Sequence, residues 1–280
     1  SRVVKAFEIK LSQGAKPGHG GVLPAAKNNH EIAEIRGLQP HTIVISPPGH
    51  TAFRDAHGLL EFVGRLREAA QGKPVGFKLC VGNRDEFREI CQEMVASGIK
   101  PDFVTVDGAE GGTGAAPIDF SNYVGMPLEE GLICVCDLLR GYDLKQDIRV
   151  IVATKILTAF DLFRAMCLGA DVCNAARGMM LALGCIQALK CHTNRCPSGV
   201  ATNDPHLRRG LVVQDKWVRV KNYHHAVVSE FLDLVAAAGV DDLEQLGRSR
   251  VYKRIGSREI KSFGELYPEV EMGSLLPSRS

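Results

Sequence analysis

The chain has 280 residues, of which 45% are hydrophobic and 24% are charged, and its formal net charge is +2. This composition is typical of a globular protein with a sizeable core, and the lack of basic blocks interleaved with aromatic residues argues against nucleic-acid binding. No apolar run approaches the roughly 18 residues needed to span a bilayer. The nine cysteines, most of them in apolar segments, favour a reducing, cytoplasmic location over a disulfide framework.

Strands and helices are predicted to alternate along most of the chain. Strand-like apolar runs cover residues 3–10, 42–46, 74–80, 102–107, 148–153 and 171–174. Helices are predicted over 29–36, 55–70, 84–97, 128–139, 159–168 and 178–190, with one or two more within 215–240. Near-continuous apolar strands indicate a parallel sheet covered on both faces. Strand–helix repetition of this length predicts an α/β fold, a TIM-type (β/α)8 barrel.

The predicted strands are too few for a closed barrel, which needs eight. Because the sequence leads almost at once into a strand, we expect the first one or two βα units of the barrel to be missing from it. The barrel domain is predicted to span residues 1–240. Residues 241–280 are expected to form a helical or loosely ordered extension, since the tail from Ser257 holds Gly, Pro and Ser.

One segment, residues 178–202, concentrates the chemistry and reads GMMLALGCIQALKCHTNRCPSGVAT. Cys185, Cys191 and Cys196 follow a C-x5-C-x4-C spacing, with the first near the end of the predicted helix and the others on a polar loop. Three such thiolates can each bind one iron of a cuboidal iron–sulfur cluster. A zinc site formed with His192 fits the same spacing. Three unrelated core thiols are a third interpretation, because free cysteine is often buried.

Glycine-rich loops follow two of the predicted strands. GAEGGTGAAP (108–117) lets backbone N–H groups approach an anion or a flat ring. Ala175–Gly178 precedes a helix N-terminus, where backbone donors favour phosphate and Arg177 adds charge. Two such loops on neighbouring late strands match the phosphate site of barrel enzymes.

Lys10 and Lys78 lie near strand ends. A lysine at such a position either extends to water or, at the C-terminal rim of a barrel, points at a ligand.

Four motifs taken together resemble a known family. They are KLSQGAKPGHGG (10–21), ISPPGH (45–50), DGAEGGTGAAP (107–117) and GCIQALKCHTNRCPSGVAT (184–202). They are similar to the FMN-binding synthase domain of glutamate synthase, most of all the stand-alone bacterial and archaeal type, and the similarity extends from about Val3 to Val240. The resemblance implies a TIM-type barrel that binds FMN. It also implies a 3Fe-4S cluster on Cys185, Cys191 and Cys196, with a 4Fe-4S cluster or zinc as the alternatives.

The resemblance further implies a reaction. Electrons would pass from a donor protein or reductase subunit through the cluster to FMN, and 2-iminoglutarate, formed from 2-oxoglutarate and ammonia, would be reduced to L-glutamate. A separate glutaminase subunit is an additional implied partner. By motif position, Lys10 and Lys78 are the catalytic residues, and Lys10 and Arg36 bind 2-oxoglutarate. The implied FMN contacts are Lys78, Gly111, Gly112, Thr113, Gly114, Lys155, Ala176 and Arg177.

Two positions depart from the family pattern. Val22 stands where the family has a substrate-contacting glutamine, and a valine cannot donate a hydrogen bond to 2-oxoglutarate. Ala153, Thr154 and Lys155 replace a glycine-rich phosphate loop, so the Thr154 side chain is expected to weaken FMN binding unless its hydroxyl replaces a contact. The alternatives are therefore an FMN oxidoreductase with a different substrate and a non-catalytic metal-binding domain.

Overall fold

The structure, a computed structural model, describes residues 3–15, 21–112 and 116–277. Its strands are β1 (Phe7–Lys10), β2 (Val22–Leu23), β3 (Val44–Ile45), β4 (Val75–Leu79), β5 (Phe103–Asp107), β6 (Arg149–Ala153), β7 (Val172–Asn174), β8 (Tyr252–Arg254) and β9 (Ile260–Ser262). Its α-helices are α1 (His30–Arg36), α2 (Ala56–Ala69), α3 (Arg84–Ser97), α4 (Ile118–Tyr123), α5 (Leu128–Gly141), α6 (Ala159–Cys167), α7 (Ala176–Leu183), α8 (Pro205–Arg208), α9 (Val213–Ala237) and α10 (Phe263–Leu266).

Five strands form one parallel sheet in the order β1-β4-β5-β6-β7. Each new strand is added on the same side of its predecessor, with helices between strands. This order is that of a (β/α) barrel, whereas a doubly wound sheet reverses direction at its centre. The predicted α/β fold of TIM type is therefore confirmed, with five of the strands of such a barrel in the part of the chain that the structure describes.

One predicted strand does not belong to this sheet. The run 42–46 forms only the short strand β3, which pairs in antiparallel fashion with β2 (Val22 opposite Ile45). Pro47 and Pro48 follow directly, and proline cannot supply the N–H donors that a central strand needs. Six strands were predicted for the parallel sheet, and the correct number among the described residues is five. An apolar, β-branched run indicates extended chain but does not identify its partner.

The two faces of the parallel sheet differ in polarity. The side chains that face the helices form the core, with at most 1% of their surface exposed: Val75, Phe77, Val104, Val106, Val150 and Val152. Alternate positions carry polar groups on the opposite face, because successive strand residues point to opposite sides. Lys10 and Lys78 are register partners there, and Thr105 donates a hydrogen bond to Glu8 at 2.6 Å. The strand pattern thus places charged groups along the inner face and towards the C-terminal edge.

Helix α7 is shorter than predicted. The expected helix covered 178–190, but α7 ends at Leu183 because Gly184 adopts the left-handed conformation at φ 108°. Gln187 and Leu189 also have positive φ, so the segment after Gly184 is a loop. Cys185 therefore lies at the start of a loop, two residues past the end of α7, and the predicted extension of this helix to residue 190 is wrong.

A single long helix, α9, closes the fold against α6 and α7. Its Tyr223 lies directly over Gly178, where an added Cβ would come within 2.1 Å of the tyrosine oxygen. The hydroxyl donates a hydrogen bond to the carbonyl of Leu157 at 2.5 Å, which holds α9 to the loop before α6. Within the described residues, no helix combines the length and apolar character needed to cross a membrane.

Residues 241–277 pack against the barrel helices α5 and α6. The β8–β9 hairpin and α10 belong to this part, and Arg248 is buried there against Asp137 of α5. Leu275 packs on Gly141, so closely that an added Cβ at Gly141 would lie 2.5 Å from the leucine. The division of the chain into domains at residue 240 stays a prediction.

Candidate functional site

A cavity of about 870 Å³ lies at the C-terminal edge of the parallel sheet. Lys78, Asp107, Ala153 and Asn174, all at or next to strand ends, contribute to its wall. In barrel enzymes this edge carries the active site, and the volume is within the usual range for small-molecule and cofactor sites. The fold therefore brings side chains from four neighbouring strands to one space.

An ion pair lies in the wall of this cavity. Lys78 Nζ is 2.9 Å from Asp107 Oδ2, and the two side chains are 22% and 10% exposed. Thr154, just after β6, donates its hydroxyl hydrogen to Asp107 Oδ1 at 2.5 Å. Lys78 was predicted as a site residue and Asp107 was not. In the sequence, Asp107 is the first residue of the motif DGAEGGTGAAP, at the end of the apolar run DFVTVD, and nothing there indicates a role of its own.

The loop after β6 has a strained backbone. Thr154 has φ 121° and Lys155 has φ 47°, and a positive φ is a true outlier for a β-branched residue such as threonine. The Thr154 hydroxyl lies 2.5 Å from Asp107 and 3.2 Å from the carbonyl of Gly108. Its hydrogen is thus engaged within the protein. Because this hydrogen is already donated to Asp107, the structure does not support the expectation that the hydroxyl replaces a contact to phosphate.

The N-terminus of α7 opens onto the cavity at Ala176 and Arg177. The N-cap residue, Ala175, makes no side-chain cap, and the first turn of the helix holds no acidic residue. Arg177 Nη2 donates a hydrogen bond to the carbonyl of Gly112 at 2.7 Å and so joins α7 to the glycine-rich loop. Lys155 lies at the same cavity. The backbone N–H groups at the N-terminus of α7, together with the cationic side chains of Arg177 and Lys155, form an arrangement suited to an anion such as phosphate.

The glycine-rich loop after β5 is anchored at its start. The carboxylate of Glu110 accepts a hydrogen bond from the backbone N–H of Leu128, with oxygens at 3.0 and 3.1 Å, and so caps helix α5. Gly111 and Gly112 line the cavity. Gly112 has φ 95°, a conformation that glycine adopts without strain. The predicted contacts Thr113 and Gly114 lie outside the described residues.

The three predicted cysteine ligands line the same cavity. Cys196 is 6% exposed, whereas Cys185 and Cys191 are half-buried. Among the described residues, no three His, Cys, Asp or Glu side chains converge closely enough to share one metal ion. A tetrahedral zinc site needs such convergence. In an iron–sulfur cluster each thiolate binds a different iron, so its ligands lie around a cluster instead of around one ion.

Hydrogen-bond donors surround the sulfur of Cys196. Burial raises the pKa of this thiol, but the Ser198 hydroxyl, at 3.4 Å, and the backbone N–H groups of Ser198, Val200 and Ala201 lower it, and the net shift is downward. For Cys80, Cys91 and Cys173, by contrast, burial raises the pKa to about 12. Cys196 is therefore held as an anion far more readily than those core thiols.

Contacts distant in sequence hold the cysteine loop in place. Lys27 Nζ donates a hydrogen bond to the carbonyl of Cys191 at 2.7 Å, although the two residues are 164 positions apart. Asn194 donates to the carbonyl of Ala26 at 3.3 Å, and Asn203 to that of Lys27 at 3.2 Å. Lys27 also lines the cavity, but nothing in its local sequence distinguishes it from a surface lysine, so it was not among the predicted site residues.

The structure brings most of the predicted site residues together at this cavity. Those lining it are Lys78, Gly111, Gly112, Lys155, Ala176, Arg177, Cys185, Cys191 and Cys196. Lys10, at the end of β1, and Arg36, in the last turn of α1, are exposed and do not line it. Their role in substrate binding stays a prediction.

Comparison with known proteins gives consistent matches. The family described as "Conserved region in glutamate synthase" matches residues 2–241. The chain is 42% identical over 251 residues to the glutamate synthase large subunit-like protein YerD of Bacillus subtilis, covering 90% of this chain and 47% of that protein. It is 36% identical over 249 residues to the archaeal glutamate synthase (NADPH) of Methanocaldococcus jannaschii, covering 88% of this chain and 48% of that protein. The chain thus spans about half the length of these curated relatives.

Among solved structures, a flavocytochrome b2 mutant with pyruvate bound is similar to this chain. The TM-score is 0.48 at 15% sequence identity, and the match covers 88% of this chain and 47% of that one. The recombinant flavin-binding domain of baker's yeast flavocytochrome b2 matches with a TM-score of 0.47, again at 15% identity, over 87% of this chain and 46% of that one.

Proposed function

We propose that this chain, which belongs to the glutamate synthase family, forms the part of a glutamate-producing oxidoreductase that holds FMN and an iron–sulfur cluster. One observation carries the proposal: a single cavity is lined by the three cysteines, by the anion-binding loops and by Lys78. A redox protein needs its two centres near each other, and a shared cavity provides that proximity.

The cavity has groups that fit the phosphate and the ring of FMN. The N-terminus of α7, with Arg177 and Lys155, would hold the phosphate. Gly111 and Gly112 lack side chains and allow close approach of the flat ring, and the Lys78 ammonium would stabilise negative charge on it. When bound, FMN supplies hydride transfer to the substrate carbon.

The cysteine loop fits a cluster of the 3Fe-4S type, with 4Fe-4S as the alternative. Its three thiols give one ligand for each of three irons, and the N–H donors around Cys196 stabilise a thiolate ligand. Ile186 and Leu189 of the same loop are 68% and 63% exposed. We propose that a separate electron-donor protein or reductase subunit delivers electrons to the cluster, and that the protein works in the cytoplasm.

The proposed substrates are 2-oxoglutarate and ammonia, whose condensation product is reduced to L-glutamate. Lys10 and Arg36 are the proposed partners of the two carboxylates, since dicarboxylates are bound by cations. The positions of both residues in the family motifs support this role. Lys10 is also the register partner of Lys78, which lines the cavity. A glutaminase subunit is the proposed source of ammonia.

An absorbance spectrum of protein purified without air tests the proposal, with iron, zinc and released flavin measured on the same sample. We expect flavin bands together with about three irons per chain, since one thiolate serves each iron. Iron without flavin would indicate that the phosphate loop with Thr154 does not hold FMN. Zinc, or no chromophore, would instead favour the non-catalytic metal-binding domain.

A second candidate is an FMN oxidoreductase acting on a different substrate, and Val22 favours it. Val22 lines the cavity and is 49% exposed, yet it cannot hydrogen-bond to a carboxylate or an imine. The substrate pocket is therefore more apolar at this position than in the family pattern.

Replacing Val22 by glutamine distinguishes these two candidates. If 2-oxoglutarate is the substrate, Val22→Gln should tighten its binding by about 1 kcal/mol, or roughly fivefold, through one added hydrogen bond. Binding is measured by perturbation of the flavin absorbance on titration with 2-oxoglutarate. Val95→Gln changes an exposed valine on α3 away from the cavity and serves as the matched control. Weaker binding in Val22→Gln than in the control would favour the different substrate.

A further inference from the structure

The backbone of two glycines lies close to Asp107, the acceptor of the Lys78 ion pair. An added Cβ at Gly14 would lie 3.0 Å from Asp107 Oδ1, and one at Gly111 would lie 3.2 Å from the same oxygen. An added Cβ at Gly111 would also come within 2.4 Å of the Thr154 hydroxyl. Lys78, Asp107 and Thr154 therefore form a compact cluster at the ends of β4, β5 and β6, and a side chain at Gly14 or Gly111 would collide with it.

Stability does not explain this cluster well. The desolvation cost of a buried ion pair commonly equals or exceeds its Coulombic gain, so apolar residues would serve a purely structural purpose as well. Thr154 adds a further cost, since a β-branched residue at φ 121° is strained. Such strain persists only where the surroundings enforce it, and it is frequent at functional sites.

Thr154 contributes to the cluster what glycine at this position cannot. Its hydroxyl satisfies Asp107 Oδ1, while Asp107 Oδ2 faces the Lys78 ammonium. Both carboxylate oxygens are thereby engaged, and the carboxylate cannot rotate without breaking a bond. The ammonium is consequently held at one place in the cavity wall.

We infer that Asp107, fixed by Thr154, is a positioning residue that sets the place of the Lys78 ammonium for the ligand in this cavity. The inference rests on the proposed function in one respect: FMN is taken as that ligand. It adds a role for Asp107 and gives a physical reason for threonine in a loop where the family pattern has glycine.

A double-mutant cycle in Asp107→Asn and Lys78→Gln tests the inference, with FMN affinity measured by quenching of flavin fluorescence. Because Asp107 acts through Lys78, Asp107→Asn should weaken FMN binding about tenfold in the wild-type background and less than about twofold in the Lys78→Gln background.

Thr154→Val removes the hydroxyl at constant shape and should weaken FMN binding about fivefold, whereas Thr154→Ser keeps the hydroxyl and should stay within about twofold of wild type. Thr51→Val, in an exposed loop, is the matched control.

Equal effects of Asp107→Asn in both backgrounds would overturn the positioning role and leave the proposed function intact. Equal affinities of Thr154→Val and Thr154→Ser would also overturn it, and this pair serves if Asp107→Asn does not fold. A wild-type chain that binds no FMN would contradict the proposed function instead. In that case the same cycle on the unfolding equilibrium still tests the contact between Asp107 and Lys78 on which the inference rests, and independent effects of the two substitutions would overturn it.

Discussion

Serine in place of Cys191 should remove the iron from this protein, from about three atoms per chain to less than about one. The seryl hydroxyl stays protonated near neutral pH and is a much poorer ligand than a thiolate. One iron of a cluster that relies on three thiolates would therefore lose its protein ligand. Cys191 lines the cavity and its backbone is fixed by Lys27, so the substitution changes the ligand while the loop keeps its anchor. Iron, acid-labile sulfide and flavin measured on anaerobically purified protein give the result.

Cys173→Ser is the matched control for this experiment. Cys173 lies on β7 outside the cavity, and burial raises its pKa to about 12, as for an ordinary core thiol. The control should retain its iron and flavin. Iron content in Cys191→Ser equal to that of the control would exclude Cys191 as a ligand, and loss of iron in both variants would point to general instability.

Local chemistry was sufficient to predict several elements of the fold. Helix α3 begins and ends as predicted, at Arg84 and Ser97, because Asn83 caps the first turn and Gly98 ends the helix at φ 71°. The parallel strands β4, β5 and β6 were predicted from buried apolar runs that lie within single segments of sequence. These features depend on neighbouring residues alone.

Features that depend on tertiary context were not predicted. The apolar residues Ile186 and Leu189 continue a helical period past Gly184, but both are exposed in a loop. The pattern of a sequence cannot distinguish an apolar residue that will be exposed from one that will be buried. Likewise the run ending in Pro47 was recognised as extended, while its partner β2 was not.

The functional site likewise has features that short sequence motifs predict and features that depend on tertiary contacts. The cysteines and the glycine loops lie within short motifs, so they could be predicted together, and they line one cavity. Asp107 lies within one of these motifs too, but its role could not be predicted, because it comes from contacts with Lys78 on β4 and with Thr154 just after β6. The role of Lys27 also depends on a contact distant in sequence. A single sequence holds no signal for such pairs.

Loss of the Arg248 side chain should destabilise the protein by about 3–5 kcal/mol, because a buried carboxylate would be left without its partner. Arg248 is 4% exposed and its guanidinium reaches Asp137 at 2.5 Å and the carbonyl of Tyr267 at 2.9 Å. These bonds join the C-terminal residues to α5, the helix whose first turn is capped by Glu110 of the glycine-rich loop. The free energy of unfolding of Arg248→Ala, from urea denaturation, is the measurement.

Two comparisons separate the buried pair from a simple loss of packing. Arg258→Ala removes an exposed arginine of the same C-terminal region and should change the free energy of unfolding by less than about 0.5 kcal/mol. The double variant Asp137→Leu with Arg248→Met removes both charges at similar volume and should recover most of the stability lost in Arg248→Ala. If the double variant is as unstable as Arg248→Ala, the loss comes from packing or from the Tyr267 contact. If Arg248→Ala matches Arg258→Ala, the C-terminal residues do not stabilise α5, and the barrel helices hold the site unaided.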